Sequence, residues 1–402
     1  MRTAARLIRL PVSSYPWLGA AATFLVTLLS SFDVRGISTN DSTAAMLPAW
    51  SLIHRGTLAL PTKGIDYRVL SESAARHGSL YSNRPVGMIA VSIPGQLFSS
   101  SPSSWGIAIT ASLLSAISVW ASFRLWGPAA GTLVAIGTPL LFAVGRTLWP
   151  ETVCVPLLLT GLLLLRTKRH LWVLLPLVGV ITLCRPPFGL LAALIFAILV
   201  GRSRTSVLPF AGLAVGIVVL LAYAHVVFGE WTLAPGYPSP RGVNWHSLWL
   251  GTVSAARGVL WWTPWLVFLR VRDRAWIAAL VVAAGYVVAS WLSYDAWGGS
   301  GWVGYRYPIP LVVLTAAFVH RPANAALAHI FDLAVAWSVA LAIVGTARDG
   351  SLSHGLHPWS PGVPVAETFA VFVCVAALIV LLRRRVQPDV RPASRPVSVP
   401  TP

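Results

Sequence analysis

Residues 166–204 read RTKRHLWVLLPLVGVITLCRPPFGLLAALIFAILVGRSR. Two apolar runs, 170–184 and 187–201, stand between basic clusters: Arg166, Lys168 and Arg169 before them, Arg202 and Arg204 after them. Between the runs lies Arg185-Pro186-Pro187. Proline fixes its own φ and pushes the preceding residue out of the helical region, so the chain turns there. Two apolar helices that leave a basic cluster and return to another read as a membrane hairpin. A span needs about 20 mostly apolar residues, so both arms are short and the turn cannot reach far into water.

The pattern continues along the chain. Of 402 residues, 56% are hydrophobic and 10% are charged, and mean hydropathy is +0.73. Candidate spans lie at 15–31, 104–123, 128–145, 151–165, 170–184, 187–201, 206–228, 258–269, 275–292, 306–320, 324–346 and 367–383. They predict an all-α, polytopic transmembrane bundle of about 12 spans, forming one integral domain over 1–386. The Pro-, Ser- and Val-rich tail 387–402 reads as disordered. The three cysteines, Cys154, Cys184 and Cys374, fall inside apolar runs and suggest packing rather than a disulfide framework.

The charges sort by side. Arg2, Arg6, Arg9, Arg124, Arg166, Lys168, Arg169, Arg202, Arg204, Arg270, Arg272, Arg274, Arg321, Arg383, Arg384, Arg385, Arg391 and Arg395 all fall in alternate connections. Positive-inside logic places these connections and both termini in the cytoplasm. The net charge of +18 is then topology and contact with anionic membrane lipid, not a nucleic-acid footprint. Most carboxylates take the other side: Asp33, Asp41, Asp66, Glu72, Glu151, Glu230, Asp295, Asp349 and Glu367.

The segment 32–103 is the longest outer connection. At about 70 residues it exceeds ordinary loop lengths and suggests a lid, a binding loop or a subdomain. Within it, Thr43–Arg55 reads as an amphipathic surface helix with Met46, Leu47, Trp50, Leu52 and Ile53 apolar. Tyr67–Gly78 reads as a second helical stretch, and Pro85–Leu97 as a re-entrant or surface-lying segment too short to span.

The outer side also carries the residues suited to chemistry. Asp33 and Asp41 sit beside helix ends, where a carboxylate can take a proton from an incoming hydroxyl. Asn40-Asp41-Ser42 is equally what a helix N-cap demands. Arg84, Arg185 and Arg306 break the positive-inside pattern, and guanidinium groups suit a phosphate bidentately; snorkelling is the competing account. Arg146 and Glu151 flank Trp149-Pro150 and could pair with each other. Tyr294-Asp295-Ala296-Trp297-Gly298-Gly299-Ser300-Gly301-Trp302 combines an acid, aromatics and glycines, either as a sugar platform or as part of an interfacial aromatic belt. Trp245–Trp249 and Trp261–Trp265 allow the same two readings. No histidine spacing indicates a metal site; His354-Gly-Leu-His357 is the nearest approach.

In order, these elements are Asn40-Asp41-Ser42-Thr43-Ala44-Ala45-Met46-Leu47-Pro48, Asn83-Arg84-Pro85-Val86-Gly87, Ser254-Ala-Ala-Arg257-Gly258 to Thr263-Pro264, and Trp297-Gly298-Gly299 to Gly304-Tyr305-Arg306. The series resembles the bacterial branch of the GT-C glycosyltransferases, multi-span enzymes related to protein O-mannosyltransferases and aminoarabinose transferases. The resemblance spreads over residues ~30–310 and is architectural more than exact. It implies a polyprenyl-phosphate sugar donor, an envelope glycan, lipid or protein acceptor, and a site on the extracytoplasmic face. It implies Asp41 as the acid that activates the acceptor, with Asp33 as understudy. It implies Arg84, Arg257 and Arg306 as phosphate or sugar ligands, to which the residue reading adds Arg185, Asp295, Trp297 and Tyr305. Some relatives use a divalent cation, and no cofactor is required by the residues themselves. A transporter or lipid flippase is the main competing class; a membrane acyltransferase and a non-catalytic scaffold are weaker ones.

The orientation predicts the behaviour of periplasmic reporter fusions. Alkaline phosphatase joined after Arg169 should be inactive, and joined after Gly229 should be active; the reverse result would invert the topology.

Overall fold

A computed structural model gives the fold for residues 14–31, 40–60, 73–76, 78–140, 147–233, 243, 245–254, 258–293, 307–352 and 365–386. Side chains at 40–41, 346–352, 365 and 384–386 are outside that description. The chain is a helical bundle with one small β-hairpin among the described residues.

The elements in chain order are α1 (Tyr15–Ser30), α2 (Asn40–Arg55), β1 (Ser73–Arg76), β2 (Ser79–Ser82), α3 (Val86–Gln96), α4 (Ser104–Trp126), α5 (Pro128–Ile136) and α6 (Pro150–Thr167). Then come α7 (Leu174–Cys184), α8 (Pro186–Val200), α9 (Leu208–Phe228), α10 (Trp245–Val253), α11 (Val259–Trp262), α12 (Arg274–Ser293), α13 (Ile309–Thr315), α14 (Ala325–Leu352) and α15 (Val365–Val386).

Among the described residues, six helical segments are long and apolar enough to cross a membrane: Ser104–Trp126, Pro150–Thr167, Arg204–Phe228, Arg274–Ser293, Ala325–Gly345 and Ala366–Arg383. Five shorter apolar helices accompany them, among them both arms of the hairpin at Arg185. One expected span is broken. The run 258–269 forms the four-residue α11 and a 3-10 turn, Pro264–Phe268, because Pro264 ends the helix and removes a donor. The run 128–145 is helical over Pro128–Ile136, and its residues 141–145 lie outside the described residues.

The first connection also departs from expectation. Residues 73–76 are a strand rather than helix, paired antiparallel with 79–82. Gly78 carries φ +77° in the two-residue turn, a conformation hairpin turns require. Leu60 N–H donates to Leu80 O at 2.7 Å, tying the end of α2's connection to the hairpin. Helix α2 forms where expected, but it is not a surface float. Ala44, Ala45, Met46, Leu47 and Ala49 are buried in the body, and Trp50 Nε1 donates to Ser99 O at 3.2 Å.

Two ends of the bundle differ chemically. At one end Arg166 Nη1 donates to Arg124 O at 2.8 Å and to Leu125 O, closing the last carbonyls of α4. Asp332 accepts from Arg321 Nε and Nη2 at 3.2 and 3.1 Å and pairs with Arg383. Asp273 caps α12 through Ala275 N–H at 2.8 Å and Trp276 N–H at 3.2 Å. Arg270 N–H donates to Phe318 O at 3.0 Å, joining the two connections there. These are the basic connections of the sequence, gathered at one end. Helices α6, α7 and α8 carry Glu151 and Arg185 to the other end.

Small residues let the helices approach. A Cβ on Gly106 would fall 1.8 Å from Gly95 O, so α3 and α4 touch backbone to backbone. Gly106→Val should therefore separate α3 from α4 and destabilise the protein by about 1–3 kcal/mol, seen as a lower Tm in detergent. An unchanged Tm would mean that this crossing is not part of the stable fold.

Candidate functional site

The site is built around the turn between α7 and α8. Helix α7 ends at Cys184, and Pro186 opens α8, so Arg185 is left extended at φ −160° and ψ 102°. It is both C-cap of one helix and N-cap of the next. Pro186 has no N–H to satisfy, and the N–H groups of Phe188 and Gly189 both bond back to Arg185 O at 3.0 Å.

The Arg185 side chain is turned inward. Its Nη1 pairs with Glu151 Oε1, and the Glu151 side chain is fully buried. Its Cζ stands 4.6 Å from the centroid of the Tyr307 ring, a cation–π distance. Glu151 sits in the first turn of α6, just after Pro150 at the helix start. That is where a carboxylate is favoured by the exposed amide ends. Glu151 therefore meets a cation 34 residues away at Arg185; Arg146, the local partner that the sequence offered, lies outside the described residues. Phe188 and Tyr286 make an edge contact behind this pair, with ring centroids 5.6 Å apart.

A second arginine reaches the same end by a different path. The chain leaves β2 at Ser82 and runs through Asn83 and Arg84 into α3. Arg84 N–H donates to Ser82 Oγ at 3.2 Å. Asn83 and Arg84 are both buried, at 4% and 9% exposure. Gly87, at the start of α3, lies on the end of α7: a Cβ there would be 2.5 Å from Leu183 C and 2.6 Å from Cys184 N. The helix that follows Asn83-Arg84-Pro85 thus rests on the residues just before Arg185. Asn83 Oδ1 and Ser51 Oγ are buried without a hydrogen-bond partner among the described residues. Such groups cost free energy unless something polar meets them.

The chain following the Gly304-Tyr305-Arg306 run enters the same region. Tyr307 is buried at 9%, and its ring is the one beneath Arg185. Of the residues singled out in the sequence, Arg84 and Arg185 are brought to one end. Asp41 lies in the first turn of α2 by its backbone. Asp33, Arg257, Asp295, Trp297, Tyr305 and Arg306, together with Arg146, lie outside the described residues. Glu151, Asn83 and Tyr307 were not chosen as site residues from sequence. For Glu151 the signal was present: an acid directly after a Pro at a helix start, on the side where Arg185 also turns.

The tryptophan cluster at 261–265 resolves toward packing. Trp262 and Trp265 are buried at 2% and 0%, and Trp265 Nε1 donates to Gly137 O at 3.1 Å. Trp245 and Trp249 are instead exposed, at 69% and 58%. Among the described residues no group of three His, Cys, Asp or Glu side chains could hold a metal ion.

Comparison with known proteins adds one likeness. No family model matches the chain, and no curated protein matches it. Among solved structures, the chain is similar to the crystal structure of ArnT from Cupriavidus metallidurans bound to undecaprenyl phosphate. That protein is of the kind the sequence resemblance names. Identity is 14%, the match covers 93% of this chain and 79% of that one, and the TM-score is 0.48.

The buried pair makes a specific prediction. Glu151→Ala leaves a guanidinium buried without its anion and should cost about 3–5 kcal/mol, whereas Glu151→Leu with Arg185→Leu should recover most of that loss. Thermal unfolding of the two variants decides; equal loss in both would mean that the pair is not the source.

Proposed function

We propose that the chain is a glycosyltransferase. It moves a sugar from a polyprenyl-phosphate donor to a cell-envelope acceptor, glycan, lipid or protein, on the extracytoplasmic face. The observation that supports the reading is the close packing of Gly87, three residues after Arg84, on the end of α7 just before Arg185, at the end of the bundle opposite the basic connections. Cations kept on that side of a membrane protein, one of them ion-paired to a fully buried carboxylate, are costly unless they are used.

In this reading the donor brings its own leaving group. Asp41, at the head of α2, takes the proton of the acceptor hydroxyl, with Asp33 as the alternative base. The hydroxyl oxygen forms a bond to the anomeric carbon. The bond from that carbon to the phosphate oxygen breaks, and the lipid phosphate leaves with the electron pair. Arg84 and Arg185 face the charge that develops on it, with Arg257 and Arg306 as further phosphate ligands. Trp297 and Tyr305 offer faces for the sugar ring, and Asp295 accepts from its hydroxyls. Glu151 holds Arg185 in place. No nucleotide cradle is needed.

The test is turnover of a panel of labelled polyprenyl-phosphate sugars by the purified protein in lipid. Wild type should release or transfer sugar. Asp41→Asn should lose at least about a hundredfold in kcat, the usual scale of a general base, while still binding donor. Arg84→Gln should weaken donor binding by about tenfold, as expected for one charge-assisted contact. Turnover unaffected in both Asp41→Asn and Asp33→Asn would sink the base assignment. A donor that binds but is only moved across the bilayer would favour a lipid flippase.

A further inference from the structure

A recess of about 500 Å³ opens at the other end of the bundle, among the ends of α1, α4, α5 and α6. It is lined by Tyr15, Phe123, Arg124, Gly127, Leu163 and Arg166, among others. Its shape follows from local structure. Helices α1 and α4 run antiparallel in close contact, since a Cβ on Gly19 would meet the Phe123 ring at 2.6 Å. Gly127, at φ +87°, then turns the chain abruptly into α5. The α4–α5 corner and the end of α6 are left apart, with the recess between them.

Its chemistry is one-sided. Among the described residues, two arginines line it and no carboxylate does. The Arg166 guanidinium is held in place by the carbonyls of Arg124 and Leu125. The nine-residue helix α5 starts at the recess, with Pro128 supplying no N–H, so the amides of its first turn add to the positive field. The remaining walls, such as Phe123, Leu163 and Pro16, are apolar. Along α1 the apolar wall continues outward: Trp17, Leu18, Leu25 and Leu29 are exposed at 67%, 46%, 54% and 61%.

We infer that this recess binds the phosphate headgroup of an anionic phospholipid, with its acyl chains laid along the exposed face of α1. Charge complementarity selects an anion. The continuous apolar strip beside the recess selects a lipid over a soluble phosphate, which would leave that strip unused. Basic pockets between helices at the cytoplasmic boundary are suited to such headgroups, and the volume is that of a ligand site. The site is separate from Arg84 and Arg185 and does not depend on sugar transfer.

The full chain, purified in mild detergent, would be titrated with phosphatidylglycerol or with phosphatidylcholine of the same acyl chains. Retained lipid would be counted by native mass spectrometry. One phosphatidylglycerol should be retained in preference to phosphatidylcholine. Arg124→Gln should weaken that first retention by about fivefold, the scale of one basic side chain at a membrane surface. Thr167→Trp, at an exposed position of the lining, should fill the recess and weaken it at least as much. Arg270→Gln removes a basic residue outside the recess and should leave it unchanged. If Arg124→Gln fails to fold, Thr167→Trp decides. Equal retention of phosphatidylcholine, retention unchanged in both recess variants, or an equal loss in Arg270→Gln overturns the site.

Discussion

One buried ion pair organises the end of the molecule that matters most. Glu151, at the head of α6, and Arg185, in the α7–α8 turn, offset each other's charge. The pair fixes the head of α6 against the α7–α8 turn. Tyr307 stacks on the same guanidinium, so the entry into α13 is anchored to it as well. Gly87 presses α3 onto the last residues of α7, which brings the Arg84 turn alongside. Four parts of the chain thus converge on one charge that the surrounding apolar helices could not hold alone.

The opposite end is held by a different logic. There the cations are many and the carboxylates few. Asp332 binds Arg321 and Arg383 together. Asp273 caps a helix instead of pairing with its basic neighbours. Arg166 spends its donors on helix-end carbonyls. At a membrane surface, water and anionic headgroups relieve repulsion within a cluster of this kind.

Much of this was legible in the residues because lipid imposes a simple rule: a helix must be apolar for its length. The hairpin at Arg185, the run 206–228 and the run 275–292 are read directly from that rule. Where the rule does not act, reading failed. Ser73–Arg76 has alanines that favour helix, yet pairing with Ser79–Ser82 and the turn at Gly78 prevail. Trp262 and Trp265 look like interfacial residues one at a time, but their burial is a property of the packed bundle. The pairing of Glu151 with Arg185 is tertiary and has no local signature. At the candidate site, the arginines stood out because they violate the side preference of cations. Asn83 and Tyr307 violate nothing in sequence and became visible only through burial and contact.

The last helix shows how loosely a membrane protein can hold one of its own parts. Along α15, Thr368 is the one buried side chain among those described, and Arg383 ties its far end to Asp332. Most of its surface has the bilayer for a neighbour. Substitutions among apolar residues on that surface are weighed by the hydrocarbon rather than by the body of the protein. This helix can therefore drift in length and tilt to match membranes of different thickness while the rest of the architecture stays as it is.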